Sequence, residues 1–457
     1  MSPALHFNLF IMDTGHHEAS WRLPGSYPLA NIDIEYFERL AQLAESVTFD
    51  SVFLADSPVL HGDPERRPAG RIEPLTLLTA AARATRRIGL IATASTSYND
   101  PYNLARRFAS LDHVSGGRAG WNIVTTAGDD AAQNFGLDGQ PSHAERYQRA
   151  DEFVEVARKL WDSWEDDAIV ADPERGVWAE AGKVHAIDHR GRFFQVRGPL
   201  NLSRSKQGQP VIFQSGVSEE GRTLAARIAE GIFAPGQSFE SAREHYSDVK
   251  ARAAALGRNP DHIVIIPNGG PIVAGTDEAA RARAREIYEE DNDFDRKLGF
   301  LGRAFGAYDF RQHDLDAPFP DLAHLTERGG RRGIDLVHQA QQNGWTLRQT
   351  VEAASQYKPP PFVGSPVTVA DEIQRWFENG AIDGLNLAFR VRDELENFID
   401  TVVPILQERG LYRRAYESDT LRGNLGLPFP ANRYTQRREA TGAADDADAP
   451  AGHFVSA

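Results

Sequence analysis

Residues 88–126 read IGLIATASTSYNDPYNLARRFASLDHVSGGRAGWNIVTT. The opening IGLIATAS is small and apolar at both odd and even positions, the pattern of a strand covered on both faces. It turns polar at Ser95, Thr96, Ser97 and Tyr98. Beyond Asp100-Pro101, Leu104, Phe108 and Leu111 recur at helical spacing, so YNLARRFASLDHV is predicted to form one amphipathic helix that Gly116 and Gly117 stop. AGWNIV then returns as a second strand, again followed by polar residues, Thr125 and Thr126. The stretch is a βαβ unit whose polar residues stand just past the carboxyl ends of its strands, where α/β barrels place their chemistry.

The same alternation runs outward in both directions. HFNLFIM, SVFLAD, IGLIATAS, AGWNIV, VIFQSG, GIFAP, IVIIP and GLNLAF make eight strand candidates, separated by helical patterns such as IEYFERLAQLAES. Eight is the number a closed parallel barrel needs, so the predicted fold is a (β/α)8 TIM barrel with long insertions. A chain of 457 residues would ordinarily suggest about three domains, yet such a barrel with insertions can exceed about 400 residues as one. Residues 1–433 are therefore taken as a single domain with insertions at about 128–207 and 291–360, and residues 434–457, poor in large apolar side chains, as a disordered or partner-bound tail. Gly299, Gly302 and Gly306 with Phe300, Phe305 and Tyr308 suggest a mobile flap over the pocket mouth in the second insertion.

With 41% hydrophobic residues and no apolar run near the length of a membrane span, the composition is that of a soluble globular protein. The start, MSPALHFNLFIM, has neither a basic segment nor a cleavage site, which leads to the expectation of a cytoplasmic protein. The absence of cysteine excludes disulfides, thiolate metal ligands and a cysteine nucleophile. A net charge of −15 argues against nucleic acid or an anionic membrane as the main partner. His16-His17 and the pair His185 and His189 form no H-E-x-x-H pattern and bring no obvious carboxylate, so no metal site is expected.

Candidate site residues follow the strand ends. Asp56 closes the second strand and reads equally as a turn cap. Thr93 and Ser95 share one strand face, and Asn122 and Thr125 stand near the end of the fourth strand. His143 and Tyr147 are four apart, one turn of a helix starting near Ser142. Ser218, after Gln214-Ser215-Gly216, can cap a helix whose free amides face a phosphate, although capping alone would explain it.

FLADS, TASTSYNDPY, ASLDHVSGGRAGWNIVT, NFG, ERYQRADEFVEV, LWDSW, KVHAIDH, FQVRGPLN and PVIFQSG, in this order, resemble the nitrilotriacetate monooxygenase component A and dibenzothiophene sulfone monooxygenase family. That group belongs to the bacterial-luciferase-like FMN-dependent monooxygenases. The resemblance implies a two-component system. A separate NAD(P)H:flavin reductase would supply reduced FMN (FMNH2), which reacts here with O2 to a flavin C4a-peroxide. One oxygen atom would pass to a small organic substrate of xenobiotic, organosulfur or aminopolycarboxylate type. It assigns cofactor binding to Asp56, Thr93, Ser95, Asn122, His143, Tyr147, Ser215 and Ser218, with His143 also a candidate for the chemistry, and implies a homo-oligomer, dimer or tetramer. The absence of G-x-G-x-x-G agrees with a nicotinamide used elsewhere. A deazaflavin (F420)-dependent dehydrogenase on the same barrel stays open as the alternative.

Overall fold

The computed structural model describes residues 4–441 apart from 13, 18, 61–63, 66, 127, 235–237, 291, 292, 304, 306, 307, 323–330, 356 and 357. Its main sheet is parallel. The strands are β1 (His6–Ile11), β2 (Ser51–Leu54), β3 (Gly89–Ser95), β4 (Ala119–Val124), β5 (Val211–Gln214), β6 (Gly231–Ile232), β7 in two pieces (Val264–Ile265 and Asn268–Gly269) and β8 (Gly384–Leu387). The first piece of β7 pairs with β6 and the second with β8, while β8 pairs with β1. The two outermost strands of the sheet are thus consecutive parts of one segment, and the sheet closes into a barrel of eight staves. Pro267 lies at the break. Its carbonyl still accepts from Asn386 N at 2.9 Å, so the seam holds across a residue with no N–H to give.

Side chains of the strands divide by parity. Leu90, Ala92, Ala94, Trp121, Ile123 and Ile212 point outward into the helical layer, where Trp121 meets Phe108, Phe153 and Trp161. Phe53, Ile91, Phe213, Phe233, Val264 and Ile266 point inward and form a second core with Leu421, Leu425 and Leu427 from the C-terminal segment. Leu421 lies where a side chain on Gly89 or Gly120 would collide with its methyl groups, so these glycines admit the plug at the amino end of the barrel. The helix predicted after Asp100 is Pro101–Ser115. Asp100 caps it, and Gly116, at φ 73°, ends it in the left-handed conformation that glycine tolerates.

The first insertion adds a long helix, His143–Trp161, and two antiparallel hairpins, Ile169–Asp172 with Val177–Ala179 and His189–Arg190 with Gln195–Val196. His185 and His189 do have carboxylate partners, contrary to the sequence reading, but separate ones: Glu165 at 2.9 Å and Glu152 at 3.1 Å. Glu152 also accepts from the backbone of Phe193 and Phe194, so it ties the second hairpin to the helix.

The second insertion is not a long loop. Helices Phe294–Arg303, Arg331–Asn343 and Leu347–Ala354 enclose a core of their own, including Leu298, Leu301, Phe305, Phe310, Leu336, Leu347 and Val351. Of the residues expected to make the flap, Gly306 lies outside the described residues, and Phe305 is an interior residue of this unit. The tail begins differently from expectation as well. Arg433–Thr441 is a helix, with Tyr434 stacked on His185 (centroids 3.9 Å apart) and Arg438 paired with Glu165 at 2.7 Å. Stacking and charge pairing, not an apolar face, hold it there. Residues 442–457 lie outside the described residues. Among the described residues no helix is long and apolar enough to cross a membrane.

Candidate cofactor site

A cleft of about 280 Å³ opens at the carboxyl end of the barrel, between the ends of β4 and β5 and the start of helix His143–Trp161. Asp56 and Ser57 reach it from β2, Thr125 and Thr126 from β4, Ser215 and Gly216 from β5, and Tyr147 from the helix. Four residues anticipated from the sequence, Asp56, Thr125, Tyr147 and Ser215, thus share one space.

Ser95 is joined to this space through Thr126. The Thr126 hydroxyl donates to Ser95 Oγ at 2.7 Å, and the Ser97 hydroxyl donates to the Thr125 carbonyl at 2.7 Å, lacing the ends of β3 and β4 together. Thr126 sits at φ 49°, a left-handed conformation that costs a non-glycine residue on the order of 1–3 kcal/mol unless its surroundings hold it. The surroundings do: the buried Arg146 guanidinium donates to the carbonyls of Thr125 and Thr126.

Thr93 and Asn122 lie deeper, facing the barrel interior on neighbouring strands. Asn122 Nδ2 donates to Thr93 Oγ1 at 2.9 Å, while Asn122 Oδ1, on a residue only 2% exposed, has no hydrogen-bond partner. Gln214 Oε1 is in the same condition on the cleft side, on a residue 3% exposed. A buried amide oxygen without a donor costs about 1–3 kcal/mol, so each of these two, one inside the barrel on β4 and one at the end of β5, could accept from an N–H or O–H group of a ligand. Gly216 keeps the cleft open: a side chain there would run into the Gln214 amide and the Tyr147 hydroxyl.

His143 and Ser218 are not in the cleft lining but stand beside it, at the helix starts next to Tyr147 and Gly216. Ser142 caps the helix that begins at His143, and Ser218 caps helix Glu219–Ile228, its hydroxyl accepting from Gly221 N at 3.1 Å. The two helix starts meet, since His143 Nδ1 lies 3.5 Å from Glu220 Oε2 and the His143 ring lies 4.7 Å from the Tyr147 ring. Burial holds the His143 imidazole below its ordinary pKa, Glu220 opposing and Arg146 reinforcing the shift. Two helix amino termini present unpaired amides and the positive ends of their dipoles to one place, which suits an anion.

The matched family is the luciferase-like monooxygenases, over residues 9–383. The chain belongs to that family. It is 43% identical over 435 residues to the N-acetyl-S-(2-succino)cysteine monooxygenase of Bacillus subtilis (strain 168), covering 94% of this chain and 98% of that protein. It is 40% identical over 439 residues to nitrilotriacetate monooxygenase component A of Aminobacter aminovorans, covering 92% of this chain and 95% of the relative. Its fold matches riboflavin lyase, solved with a modified FMN and riboflavin, at a TM-score of 0.81 and 33% identity over 94% of this chain and 97% of that one. The luciferase-like barrel and the flavin-dependent oxidoreductase class anticipated from the motifs are therefore those of the chain.

The sequence reading missed Arg146, Thr126, Gln214 and Gly216 as site residues. Arg146 was visible in principle, because it shares the inward stripe of its helix with Ala150, Phe153 and Ala157. A charged residue on an apolar stripe needs polar partners, and here they are the turn carbonyls after β4. The left-handed conformation of Thr126 leaves no mark in the sequence.

Proposed function

We propose that the chain is the oxygenase of a two-component system, binding reduced FMN delivered by a separate NAD(P)H:flavin reductase and using O2 to oxygenate a small organic molecule. The observation that carries this reading is the cleft itself. It is lined by Asp56, Thr125, Thr126, Tyr147, Gln214 and Ser215, carries the unpartnered Gln214 amide oxygen, and lies beside the paired helix starts at His143 and Ser218, an arrangement that suits a flavin and its phosphate. When bound, the reduced flavin supplies the electrons that activate oxygen.

The residues of the chain divide the remaining work. Ser218, His143 and Tyr147 would hold the phosphate at the helix starts. Asn122 Oδ1 would accept an N–H from the ring system, and the Ser95–Thr126 pair would supply a hydroxyl at its edge. Arg146 keeps the Thr126 turn in place, so the ring's seat does not reorganise on binding. Asp56 and Ser57 bound the opposite side and help exclude water. Given the relatives' named substrates, a thioether and an aminopolycarboxylate, we assign the substrate to the organosulfur or aminopolycarboxylate class of small molecules.

Anaerobic titration with reduced FMN, FAD and riboflavin tests the assignment. Reduced FMN should bind at micromolar concentration and FAD distinctly more weakly, because no dinucleotide fingerprint is present to hold an adenosine half. Equal affinity for FAD, or no oxygen uptake with reduced FMN while a deazaflavin is turned over, would overturn it.

A further inference from the structure

The first turn of helix Glu219–Ile228 carries two carboxylates with different surroundings. Glu219 is turned away and held by Arg252, whose Nη1 and Nη2 lie 2.5 and 3.0 Å from its oxygens, within a cluster that also contains Arg222 and Asp248. Glu220 points the other way. Its carboxylate faces His143 across the gap between the two helix starts, 3.5 Å from Nδ1. This is the place that the proposed function assigns to the flavin phosphate, next to the cleft through Tyr147, whose ring lies 4.7 Å from the His143 ring and which is itself part of the cleft wall.

We propose that the Glu220 carboxylate is a built-in competitor for the phosphate of the bound flavin, limiting how tightly the chain holds it and speeding its release. Without ligand, Glu220 supplies the negative charge that two helix amino termini attract. An incoming phosphate meets a like charge already in place, and must push it aside before using the same amides and the same imidazole. The groups facing that position are Glu220 from one helix, and His143, Arg146 and Tyr147 from the other. His143 is held below its ordinary pKa by burial, so near neutral pH it adds little positive charge to offset the carboxylate. A flavin that must be taken up reduced and given back oxidised in every turnover is better served by a weak phosphate grip than by a strong one. This inference rests on the FMN reading and assigns a role to a residue that reading does not use.

The test is Glu220→Gln, which keeps size and hydrogen-bonding capacity but removes the charge. Dissociation constants are measured by anaerobic titration for reduced FMN and reduced riboflavin, the second lacking only the phosphate, and the release rate of FMN is measured by stopped flow. At low salt the variant should bind FMN about three- to tenfold more tightly and release it correspondingly more slowly, with riboflavin affinity unchanged. In about 0.5 M salt the difference should shrink, as expected for half-exposed charges. Competition by inorganic phosphate should strengthen in the variant by a similar factor. If the wild type prefers FMN to riboflavin but the substitution leaves FMN binding unchanged or weaker, Glu220 is only a helix-end charge and the proposal fails while the FMN reading stands. If the wild type binds FMN and riboflavin equally, the phosphate assignment fails and this proposal with it.

Discussion

The two ends of the barrel are built on opposite rules. At the amino end, Leu421, Leu425 and Leu427 fill the interior, and charges sit in pairs: Asp50 lies 3.0 Å from His6 and 2.5 Å from Arg413, and Glu230 lies 2.5 Å from Arg422. Burial alone would raise the Asp50 carboxyl, but Arg413 and His6 outweigh it and hold the group below the usual range. At the carboxyl end β4 and β5 lead into a left-handed threonine, the unpartnered amide oxygen of Gln214 and a cleft. The plugged end is filled with apolar side chains and paired charges, and the open end is where the proposed binding site lies.

The sharpest way to break this division is to damage the plug. Leu421 is fully buried against Ile91, Phe213 and the two glycines, so Leu421→Ala should cost about 2–5 kcal/mol of stability through lost burial and the cavity left behind. The affinity of the folded fraction for reduced FMN should not change. Thermal unfolding followed alongside flavin titration checks both parts. A parallel loss of affinity would show that the two ends are coupled through the interior and that the division is false.

A second test uses the carboxylate near the amino end that, among the described residues, is buried without a cation in hydrogen-bond contact. Asp112 is 0% exposed, its Oδ1 accepts from Ala119 N at 2.9 Å and Gln207 Nε2 at 2.7 Å, and its Oδ2 meets the Ser205 hydroxyl. Burial pushes its pKa up to about 6, against the three hydrogen bonds, which lower it. The folded chain thus binds a proton between about pH 4 and pH 6 that the unfolded chain has lost, so this group's contribution to stability is largest below that window and falls as pH rises through it. The size is on the order of 1–3 kcal/mol. Asp112→Asn should remove that slope, its oxygen keeping the two N–H donors while its amide donates to Ser205. Urea unfolding of both proteins from pH 4 to pH 7 is the measurement. An unchanged slope in the variant would assign the pH dependence to another group.

The division also explains what could be read in advance. The strand and helix patterns, the Ser218 cap and the Gly116 stop are local consequences of residue type, and the barrel, its eight staves and the helix starts at His143 and Ser218 follow from them. The family motifs carried Asp56, Tyr147 and Ser215 into the cleft. What stayed hidden depends on distant partners: the Leu421 plug comes from far along the chain, the core of residues 294–351 is assembled from short helices that each look like loop, and the helix at Arg433–Thr441 exists through its stack on His185 and its pair with Glu165. Glycines and aromatics in 291–360 suggested a flap because composition alone does not distinguish a hinge from a tightly packed corner. None of the described residues lining the cleft comes from that segment.

At the carboxyl end, the open cleft should be sensitive to a single added methyl. Gly216→Ala would drive a Cβ into the Gln214 amide and to within 2.9 Å of the Tyr147 hydroxyl, and overpacking of this kind costs about 1–3 kcal/mol. The clash is with the chain's own atoms, so the unfolding midpoint should fall modestly, and because the displaced Gln214 and Tyr147 line the cleft, flavin binding should also weaken roughly tenfold. Unfolding at a lower temperature with flavin affinity intact would place Gly216 among the structural residues and move the ligand elsewhere.

The smallest expected effect separates the two halves of the site. Tyr147 keeps its ring against His143 and against the helical core, and only its hydroxyl reaches the cleft beside Gly216. Tyr147→Phe should therefore leave stability unchanged and remove one hydrogen bond to the ligand, about 1 kcal/mol or roughly a fivefold rise in the FMN dissociation constant. If that hydroxyl serves the phosphate together with His143 and Ser218, the rise should vanish when riboflavin replaces FMN. A loss of the same size with both ligands would place Tyr147 beside the ring system instead, and the phosphate would then rest on His143, Ser218 and the helix amides alone.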